Sequence, residues 1–595
     1  MLTDSGAAGP TVIHRAYGYA AGLALSAAVA AFNFAGAFAQ EFVSPEAATG
    51  RYRQTGGEAA KFMVAAANPI AAAAGIEILK AGGSAVDAAV AIQAVLTMVE
   101  PQSSGFGGGS FIVHWDAATK TVSTFDGRES APAAAMERRF LTAEGAAMNR
   151  MEAVLGGHSV GTPGTLRALE LAHSKHGKLK WSAVFDPALR VADNGFALSP
   201  RLHELLDGDR AMGRLEPARS FYLTADGAPK PVGTIVKNPE FAAVLRAVAE
   251  QGADAFYGGP IADDIVKAVT TSAENPGDLT LADLAGYRAV ERPPVCAAYR
   301  ERRLCGMAPP TSGGVGVLQT LTMLERFDLK ALGPTSARAQ HLMIEAGRLA
   351  MADRNTYIAD PDILPVPTEG LLDSGYLASR AKLIGIDTRM PEAAPGTLPR
   401  KAARDWRMAD SPERVSTSHF SVVDAAGNAV AMTTSIEGSF GSRVMVRGFL
   451  LNNTLTDFSY ADVADGKRVA NAVGPKKRPR SSMAPTLVFD RDGRLEMVVG
   501  SPGGPAIVGF VVQTLVAMID WDMTPQQAIS GPHVVVFGRG VTVEPELAAL
   551  KPELEALGHQ VRVGEFPSGI HAIRIMNGRL FGGADPRREG AVIGE

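Results

Sequence analysis

The chain has 595 residues, 46% of them hydrophobic and 20% charged, with a formal net charge of −4. This is the composition of a globular protein, and its length predicts two or more domains. The small net charge argues against nucleic acid or an anionic membrane surface as the main partner.

The first 39 residues predict a secretory signal peptide. His14 and Arg15 precede an apolar stretch at 16–31, and the small-residue sequence Ala37-Phe38-Ala39 follows. A basic flank, an apolar run and an A-x-A site are typical of a cleaved leader. We therefore expect cleavage after Ala39 and a periplasmic or secreted protein. An uncleaved membrane anchor is the alternative.

Helix signals dominate the next part of the chain. Asn68-Pro69 is a favourable helix start, and Gly82-Gly83 ends that helix. Ser84 and Asp87 predict the capping box of a second, buried helix over 85–98. Further elements are predicted as strands over 111–115 and 121–125 and as amphipathic helices over 165–175 and 341–354.

Residues 157–161, GHSVG, match the G-x-S-x-G nucleophile elbow of α/β-hydrolases. An elbow turns directly into its helix, whereas Pro163-Gly164 delays the helix here. We therefore expect Ser159 to be structural. An acid-paired His571 or His533 near Ser159 would favour the elbow instead.

Other candidate sites are weak. Residues 105–109 lack the G-x-G-x-x-G pattern of a dinucleotide site, and no metal-binding spacing occurs, so neither a cofactor nor a metal is expected. His173 and His176 are predicted to be solvated on a surface helix. The basic run KKRPR at 476–480 is predicted to form a solvated loop beside a site for an acidic substrate.

The chain has two cysteines, Cys296 and Cys305. If Arg300-Glu301 form the tip of a hairpin, the two cysteines lie opposite each other on adjacent strands. An exported protein permits a disulfide there, although cross-strand geometry often strains one. A disulfide and two unpaired thiols both remain open.

The C-terminal third is richer in strands. The turn signals DRDG at 490–493 and Met576-Asn577-Gly578 separate short strands. Helices are predicted over 507–520 and 525–530, with Thr524 as the N-cap and Pro525 at the first position of the second helix.

The segment STSHFSVVD at 416–424 predicts a strand that begins next to Thr417, followed by a turn and a second strand over 429–435. Thr is common in strands for packing reasons alone. A chain break before Thr417, however, would place a hydroxyl and a free α-amine on one residue, which is a nucleophile with its own base.

Five further motifs accompany this strand in a fixed order. They are EPQSSGFGGG at 100–109, DGRESAP at 126–132, LLNNTLTDF at 450–458, KRPRSSMAPT at 477–486 and GSPGG at 500–504. Together with DPRREG at 585–590, the set resembles the γ-glutamyltransferase (γ-glutamyltranspeptidase) family of N-terminal-nucleophile hydrolases. The resemblance covers the chain from about Ala59 to its end.

The resemblance implies an α+β fold, the four-layer αββα sandwich of N-terminal-nucleophile hydrolases. It also implies a precursor that cleaves itself between Ser416 and Thr417. The products would be a large subunit, 40–416, and a small subunit, 417–595, which stay together as a heterodimer. No cofactor is implied.

The resemblance also assigns roles to residues. Thr417 would be the nucleophile, with the oxyanion hole at Gly503-Gly504. Arg128 would bind the substrate α-carboxylate together with Ser481 and Ser482, and Asp457 would bind the α-ammonium group. Thr433 and Ser435 are placed to hydrogen-bond the nucleophile or its amine. His419 is expected to be structural.

The chain departs from the family pattern at two positions that usually help to hold the α-ammonium group. Glu437 stands where Asn is common, and Thr454 stands where Gln or Glu is common. The segment 459–479 is also short, which leaves little room for a long lid.

We therefore expect a γ-glutamyl hydrolase or transferase that acts on a glutathione-like γ-glutamyl substrate with water or an amine as acceptor, and not on nucleic acid. Two alternatives remain. One is a glutaryl- or cephalosporin-type β-lactam side-chain acylase of the same fold, and the other is a non-catalytic binding protein.

Overall fold

The computed structural model describes residues 49–398, 406–407, 416–464, 466–537 and 540–595. The predicted signal peptide and its cleavage site lie outside these residues. The described residues belong to one compact unit, so the two or more domains expected from length are not found. None of the helices in these ranges is long and apolar enough to cross a membrane.

Fourteen strands of the described residues form two seven-stranded sheets. The strands are β1 Gly57–Ala59, β2 Met63–Ala66, β3 Gly109–Asp116, β4 Thr121–Gly127, β5 Val290–Arg292, β6 Val295–Tyr299, β7 Arg302–Gly306, β8 Ser418–Val423, β9 Ala429–Ser435, β10 Thr486–Phe489, β11 Leu495–Gly500, β12 His571–Met576, β13 Arg579–Ala584 and β14 Ala591–Gly594. The first sheet has the order β14-β2-β8-β9-β3-β4-β5, and the second has the order β1-β13-β12-β11-β10-β7-β6.

The two sheets pack face to face, with β8 against β12 and β9 against β11. Helices that include Pro69–Lys80, Ala85–Val99 and Thr165–His176 cover the outer face of the first sheet. Gly313–Leu324, Ile507–Ile519 and Pro525–Ser530 cover the second sheet. This is the predicted four-layer αββα sandwich, and both sheets take strands from each side of the Ser416–Thr417 bond.

The remaining described elements surround this sandwich. The other helices of four or more residues are Arg150–Val154, Asp186–Asn194, Pro200–Gly208, Ala218–Tyr222, Pro239–Gln251, Asp254–Tyr257, Gly259–Thr270, Leu281–Gly286, Leu329–Leu332, Ala337–Tyr357, Thr368–Leu371, Ser374–Ala381 and Lys551–Ala556. The short strand pairs are Phe196–Ala197 with Ile235–Val236, Met445–Val446 with Phe449–Leu450, and Val463–Ala464 with Lys467–Arg468; a small sheet joins Val534–Phe537, Gly540–Val543 and Gln560–Val563.

The predicted helix starts are confirmed by their hydrogen bonds. The Asn68 side chain accepts from the Ile70 amide at 2.9 Å, and Ser84 and Asp87 form the reciprocal capping box. All fifteen residues of Ala85–Val99 are buried. The Asp424 carboxylate accepts from the Ala85 amide at 3.1 Å, so the turn after β8 also ties down this helix.

A helix is present over 341–354 as predicted, but it is not amphipathic. The helix runs from Ala337 to Tyr357, and most of its residues are buried, including His341 and Glu345. It packs between the helix Gly313–Leu324 on one side and the small sheet that begins at Val534 on the other. Two partners cover it, so no broad face is left to water.

The predicted hairpin around Arg300-Glu301 is present as β6 and β7. Both tip residues have positive φ, 49° and 61°, and the register pairs Cys296 with Cys305. The two sulfur atoms are bonded in the structure.

The basic run is not a solvated loop, apart from the exposed Lys476. Lys477, Arg478 and Arg480 are buried. Arg478 forms an ion pair with Asp126 at 2.6 Å, and the Lys477 ammonium donates to the carbonyls of Ala470 and Ala472 at 2.7 Å each. Buried charges need such partners; for Lys477 they come from the preceding loop, and for Arg478 from the distant strand β4.

The expectation that His173 and His176 are solvated is also wrong. His173 lies 3.1 Å from the Asp87 carboxylate, with only 12% of its side chain exposed. The His176 ring packs on His114 with 4.0 Å between centroids. His173 therefore belongs to the contact between its helix and the helix Ala85–Val99, and His176 to the contact between its helix and the first sheet.

Candidate active site

Thr417 lies directly before β8, a central strand of the first sheet, and is 3% exposed. Its hydroxyl oxygen is 2.6 Å from the carbonyl oxygen of Ser416 and 3.2 Å from Ser435 Oγ. Ser435 Oγ also donates to the Ser416 carbonyl at 2.7 Å. The Thr417 hydroxyl is therefore held against the peptide bond that precedes it, and a second hydroxyl polarises the same carbonyl.

Thr433 occupies a different position from the one predicted. Its Oγ1 lies 2.9 Å from His419 Nδ1, and β8 and β9 pair these two residues directly. Thr433 and Ser435 lie on the same face of β9, and the register, which pairs Thr433 with His419 and Thr434 with Ser418, places Ser435 next to Thr417. Thr433 and His419 form a buried structural contact between the two strands.

His419 also fixes the distance between the two sheets. A Cβ at Gly500, at the end of β11, would lie 2.2 Å from His419 Cε1, so a side chain there would hold β11 away from β8. The loop after Gly500 carries Gly503 and Gly504, with φ of 139° and 53°. Gly504 lines the same pocket as Thr417. Positive φ favours glycine at both positions.

Arg128 and Asp457 both line the Thr417 pocket and form an ion pair with each other. Arg128 is 1% exposed. Its guanidinium also donates to the carbonyls of Pro479 at 3.2 Å and Arg480 at 3.0 Å. Burial, followed by the nearby Glu437 charge, raises the pKa of the Asp457 carboxyl. One buried cation and one buried carboxylate thus lie side by side next to the hydroxyl.

Glu129 is a member of this charge cluster that the sequence reasoning did not assign. Its carboxylate lies 3.4 Å from the Arg128 guanidinium and accepts from Thr454 Oγ1 at 2.6 Å. Burial raises the pKa of Glu129. Thr454 is thus hydrogen-bonded to the carboxylate of Glu129, which also contacts Arg128. The sequence did contain a signal for Glu129, because it directly follows Arg128 in the DGRESAP motif.

Glu437 follows β9 in a left-handed conformation, with φ of 78°. Its amide donates to Ser435 Oγ at 2.9 Å, and its carboxylate lines the Thr417 pocket. Asn453 donates to one carboxylate oxygen, and Arg150 lies 3.1 Å from the other. Arg150 was not predicted, and no sequence signal marks it.

Ser481 and Ser482 line the pocket opposite β9. Ser481 Oγ accepts from the Met483 amide at 3.1 Å, and Ser482 Oγ accepts from the buried Arg354 at 3.1 Å. Both hydroxyl oxygens thus accept a hydrogen bond from the protein, and a serine hydroxyl is a neutral group that can donate to an anion.

Arg588 is a second residue near Thr417 without a predicted role. Its guanidinium donates to the Thr417 carbonyl at 2.8 Å and to the Pro567 carbonyl at 3.0 Å. Burial lowers the pKa of Arg588 to about 10, while Glu100 and Asp585 oppose this shift. The motif at 585–590 was recognised in the sequence, but it does not show which of its residues reaches Thr417.

The elbow alternative at Ser159 is not supported. Ser159 is fully buried, and its hydroxyl donates to the carbonyls of Val154 at 2.6 Å and Gly156 at 3.2 Å. The same hydroxyl therefore serves the backbone of its own turn.

Two other features lie outside the Thr417 pocket. His341, Glu345 and His559 are close enough to share a metal ion. However, His341 Nδ1 is already hydrogen-bonded to His559 Nε2 at 2.7 Å, and Glu345 already accepts hydrogen bonds from Arg348 and the Met390 amide.

A larger cavity, of about 450 Å³, lies beside Asn68 and Ser199. The side chains of these two residues cap their own helices.

A comparison with protein-family models decides the relationship. The model for gamma-glutamyltranspeptidase matches residues 71–595. The chain belongs to the γ-glutamyltranspeptidase family. The motif order that carried the resemblance is thus part of a match that covers most of the chain.

The relatives of this chain include both a glutathione hydrolase and an acylase. The glutathione hydrolase proenzyme of Escherichia coli (strain K12) is 37% identical over 548 residues, covering 88% of this chain and 90% of that protein. The acylase ACY 1 proenzyme of Pseudomonas sp. (strain SE83) is 33% identical over 543 residues, covering 89% and 93%. The structure of a cephalosporin acylase from Bacillus halodurans matches with a TM-score of 0.80 at 27% identity, covering 91% and 97%.

Proposed function

We propose that this γ-glutamyltranspeptidase family member is a γ-glutamyl hydrolase/transferase that cleaves γ-glutamyl amides such as glutathione through a threonyl acyl-enzyme. The observation that carries the proposal is the Arg128–Asp457 ion pair in the same pocket as Thr417. The relative from Escherichia coli, a glutathione hydrolase proenzyme, supports it.

In this proposal the chain is exported and cleaves itself between Ser416 and Thr417. Thr417 Oγ1 attacks the Ser416 carbonyl carbon, and the hydrogen bond from Ser435 stabilises the negative charge on the carbonyl oxygen. The C–N bond breaks, the Thr417 nitrogen takes a proton, and an ester links the two residues. Water then hydrolyses this ester, which leaves the chains 40–416 and 417–595.

Cleavage frees the α-amine of Thr417, which serves as the base for the same residue's hydroxyl. The hydroxyl oxygen attacks the γ-amide carbonyl of the donor, and the backbone N–H groups of Gly503 and Gly504 are proposed to hold the oxyanion. A preorganised donor of this kind is typically worth ~10²–10³ in rate. The amine product leaves with the proton, and water or an acceptor amine then resolves the acyl-enzyme.

The charges of the pocket favour a zwitterionic donor. Arg128 is proposed to bind the α-carboxylate, with Ser481 and Ser482 as neutral donors, since a guanidinium matches a carboxylate in a fork geometry. Asp457 is proposed to bind the α-ammonium group. In this scheme the donor separates the Arg128–Asp457 pair, and its two charged groups replace the contacts that the pair loses.

The test compares γ-glutamyl-p-nitroanilide with glutaryl-p-nitroanilide, which differ only in the α-ammonium group. We expect the γ-glutamyl compound to have the larger kcat/KM and the purified enzyme to run as two chains on a denaturing gel. A preference for the glutaryl compound would support the acylase alternative. An intact chain that turns over neither compound would support a binding protein.

A further inference from the structure

Glu437 and Arg150 form a charge pair at the edge of the donor pocket. Glu437 Oε1 lies 3.1 Å from Arg150 Nη2, and the Glu437 side chain is 2% exposed. The Glu437 amide is bonded to Ser435, the residue that contacts Thr417. The pair is therefore held at a fixed position relative to the nucleophile.

Arg150 comes from the first turn of the short helix Arg150–Val154 and is 20% exposed at its side chain. Arg150 is not among the residues that line the Thr417 pocket, whereas its partner Glu437 is. Arg150 Nε and Nη1 are buried without a hydrogen-bond partner among the described residues. Among the described residues, Arg150 forms an ion pair only with Glu437. Its positive charge therefore acts on the pocket by offsetting the negative charge of the Glu437 carboxylate.

The pair also acts on Asp457, the proposed partner of the α-ammonium group. The nearby Glu437 charge raises the pKa of the Asp457 carboxyl, while Arg128 and then Arg150 lower it. Three carboxylates, Glu129, Glu437 and Asp457, thus share the cluster with two arginines. Removal of either member of the Glu437–Arg150 pair changes the charge that a donor meets without touching Thr417, Arg128 or Asp457.

We propose that the Glu437–Arg150 pair sets the preference of the donor pocket between acyl groups with an α-ammonium and acyl groups without one. Arg150 neutralises Glu437, so a glutaryl-type dicarboxylic monoamide is tolerated as well as a γ-glutamyl amide. Arg150 is a positioning residue in this scheme, because it acts on the donor through Glu437. The inference rests on the proposed function and names the substrate class that the same site accepts.

The single variants Arg150→Gln and Glu437→Gln should change the donor preference in opposite directions. Arg150→Gln leaves Glu437 without its cation, so the pocket becomes more negative and attracts the ammonium more strongly. We expect the ratio of kcat/KM for γ-glutamyl-p-nitroanilide to that for glutaryl-p-nitroanilide to rise about tenfold. Glu437→Gln leaves Arg150 without its anion, and the ratio should fall about tenfold.

The double variant Arg150→Gln/Glu437→Gln removes both charges and should return the ratio to within about threefold of wild type. Arg150→Lys, which keeps the charge, should leave the ratio near wild type. The matched control is Arg190→Gln, which removes an arginine from an exposed ion pair with Glu77. A purely structural role for Arg150 would lower both kcat/KM values together and leave their ratio unchanged.

All variants are run on a denaturing gel before assay. If one of the variants Arg150→Gln and Glu437→Gln is not cleaved, the other decides the question alone. If neither is cleaved, Glu437→Asp decides it, because its shorter side chain draws the carboxylate away from Arg150 and should change the ratio. An unchanged ratio in the deciding variant (Arg150→Gln, Glu437→Gln or, where neither is cleaved, Glu437→Asp) overturns the inference while leaving the γ-glutamyl activity intact. Wild-type enzyme that turns over neither anilide overturns the proposed function instead, so the two failures are distinguishable.

Discussion

The Arg588 guanidinium donates a hydrogen bond to the carbonyl oxygen of Thr417 at 2.8 Å. It therefore holds the backbone of the proposed nucleophile, whereas Ser435 contacts its hydroxyl. Once the bond before Thr417 is cut, this contact also places a cation close to the new α-amine. A neighbouring cation lowers the pKa of an amine, which keeps the base unprotonated near neutral pH.

We therefore predict that Arg588→Gln slows cleavage of the precursor and lowers kcat by about 10–100-fold, a size typical of a lost charge-assisted contact. In the cleaved fraction, the acid limb of kcat/KM against pH should move to higher pH, because the amine no longer has the cation beside it. Arg579→Gln, which removes an exposed ion pair with Glu58, is the matched control. If the acid limb of kcat/KM does not shift in Arg588→Gln, Arg588 does not lower the pKa of the α-amine.

Thr417→Ala should remain a single, inactive chain, because the hydroxyl that lies 2.6 Å from the Ser416 carbonyl is lost. The measurement is a denaturing gel with N-terminal sequencing. Ser435→Ala should be cleaved more slowly, and Thr434→Ala, on the other face of β9, should be cleaved normally. Cleavage of Thr417→Ala at this bond would rule out self-cleavage by Thr417.

Arg128→Lys should be cleaved normally but should show a KM for γ-glutamyl-p-nitroanilide raised about tenfold or more. Lysine keeps the charge but loses the fork that matches a carboxylate, and a contact made in both ground and transition states affects KM more than kcat. The change also removes the bonds to Pro479 and Arg480, so thermal unfolding is measured alongside. A KM equal to that of wild type would show that Arg128 does not bind the donor.

The pKa of Asp457 predicts a pH dependence of donor binding. Burial raises the pKa of this carboxyl, and a protonated carboxyl has no charge with which to bind an ammonium group. As pH rises through the raised pKa, Asp457 ionises and kcat/KM for the γ-glutamyl donor should increase. The plot of kcat/KM against pH should lack this rise when the substrate is glutaryl-p-nitroanilide, which has no ammonium group. The rise should also be absent when Asp457→Asn is assayed with the γ-glutamyl donor. If kcat/KM rises in the same way with both donors, the titrating group is not Asp457.

Hydrolysis should exceed transfer to dipeptides at neutral pH. Residues 459–479 form a short segment whose only strand pair among the described residues is Val463–Ala464 with Lys467–Arg468. A short cover leaves the acyl-enzyme open to water, and exclusion of water is what favours another acceptor. The test follows glutamate and γ-glutamyl-dipeptide together during a glycylglycine titration. A large rise in total turnover, with dipeptide as the main product, would contradict the prediction.

Much of the fold follows from short sequence patterns. The caps at Asn68 and Ser84, the turn at Arg300-Glu301 and the strand that begins after Thr417 depend on residues only a few positions apart. Their physical causes are local, such as an orphan amide at a helix start or a backbone that turns with positive φ. The nucleophile candidate and the pocket motifs follow from a different source, the resemblance to the γ-glutamyltransferase family that is carried by short motifs in a fixed order.

The errors concern side chains whose environment comes from distant parts of the chain. Ser435 reaches Thr417 while Thr433 bonds His419, because the register of β8 and β9 decides which hydroxyl faces the nucleophile. Arg478 is buried because the fold brings Asp126, from a distant strand, to it. A sequence pattern shows the charge but not the partner that allows its burial.

The sequence by itself determined the sandwich class, the position of Thr417 before a central strand, and the motifs that line the pocket. Only the tertiary structure brought Arg588 onto Thr417, 171 residues away, and Arg150 onto Glu437, 287 residues away. The physical reason is that a buried charge acts through space on whatever group the fold places beside it. In this protein those groups lie around Thr417 and its pocket.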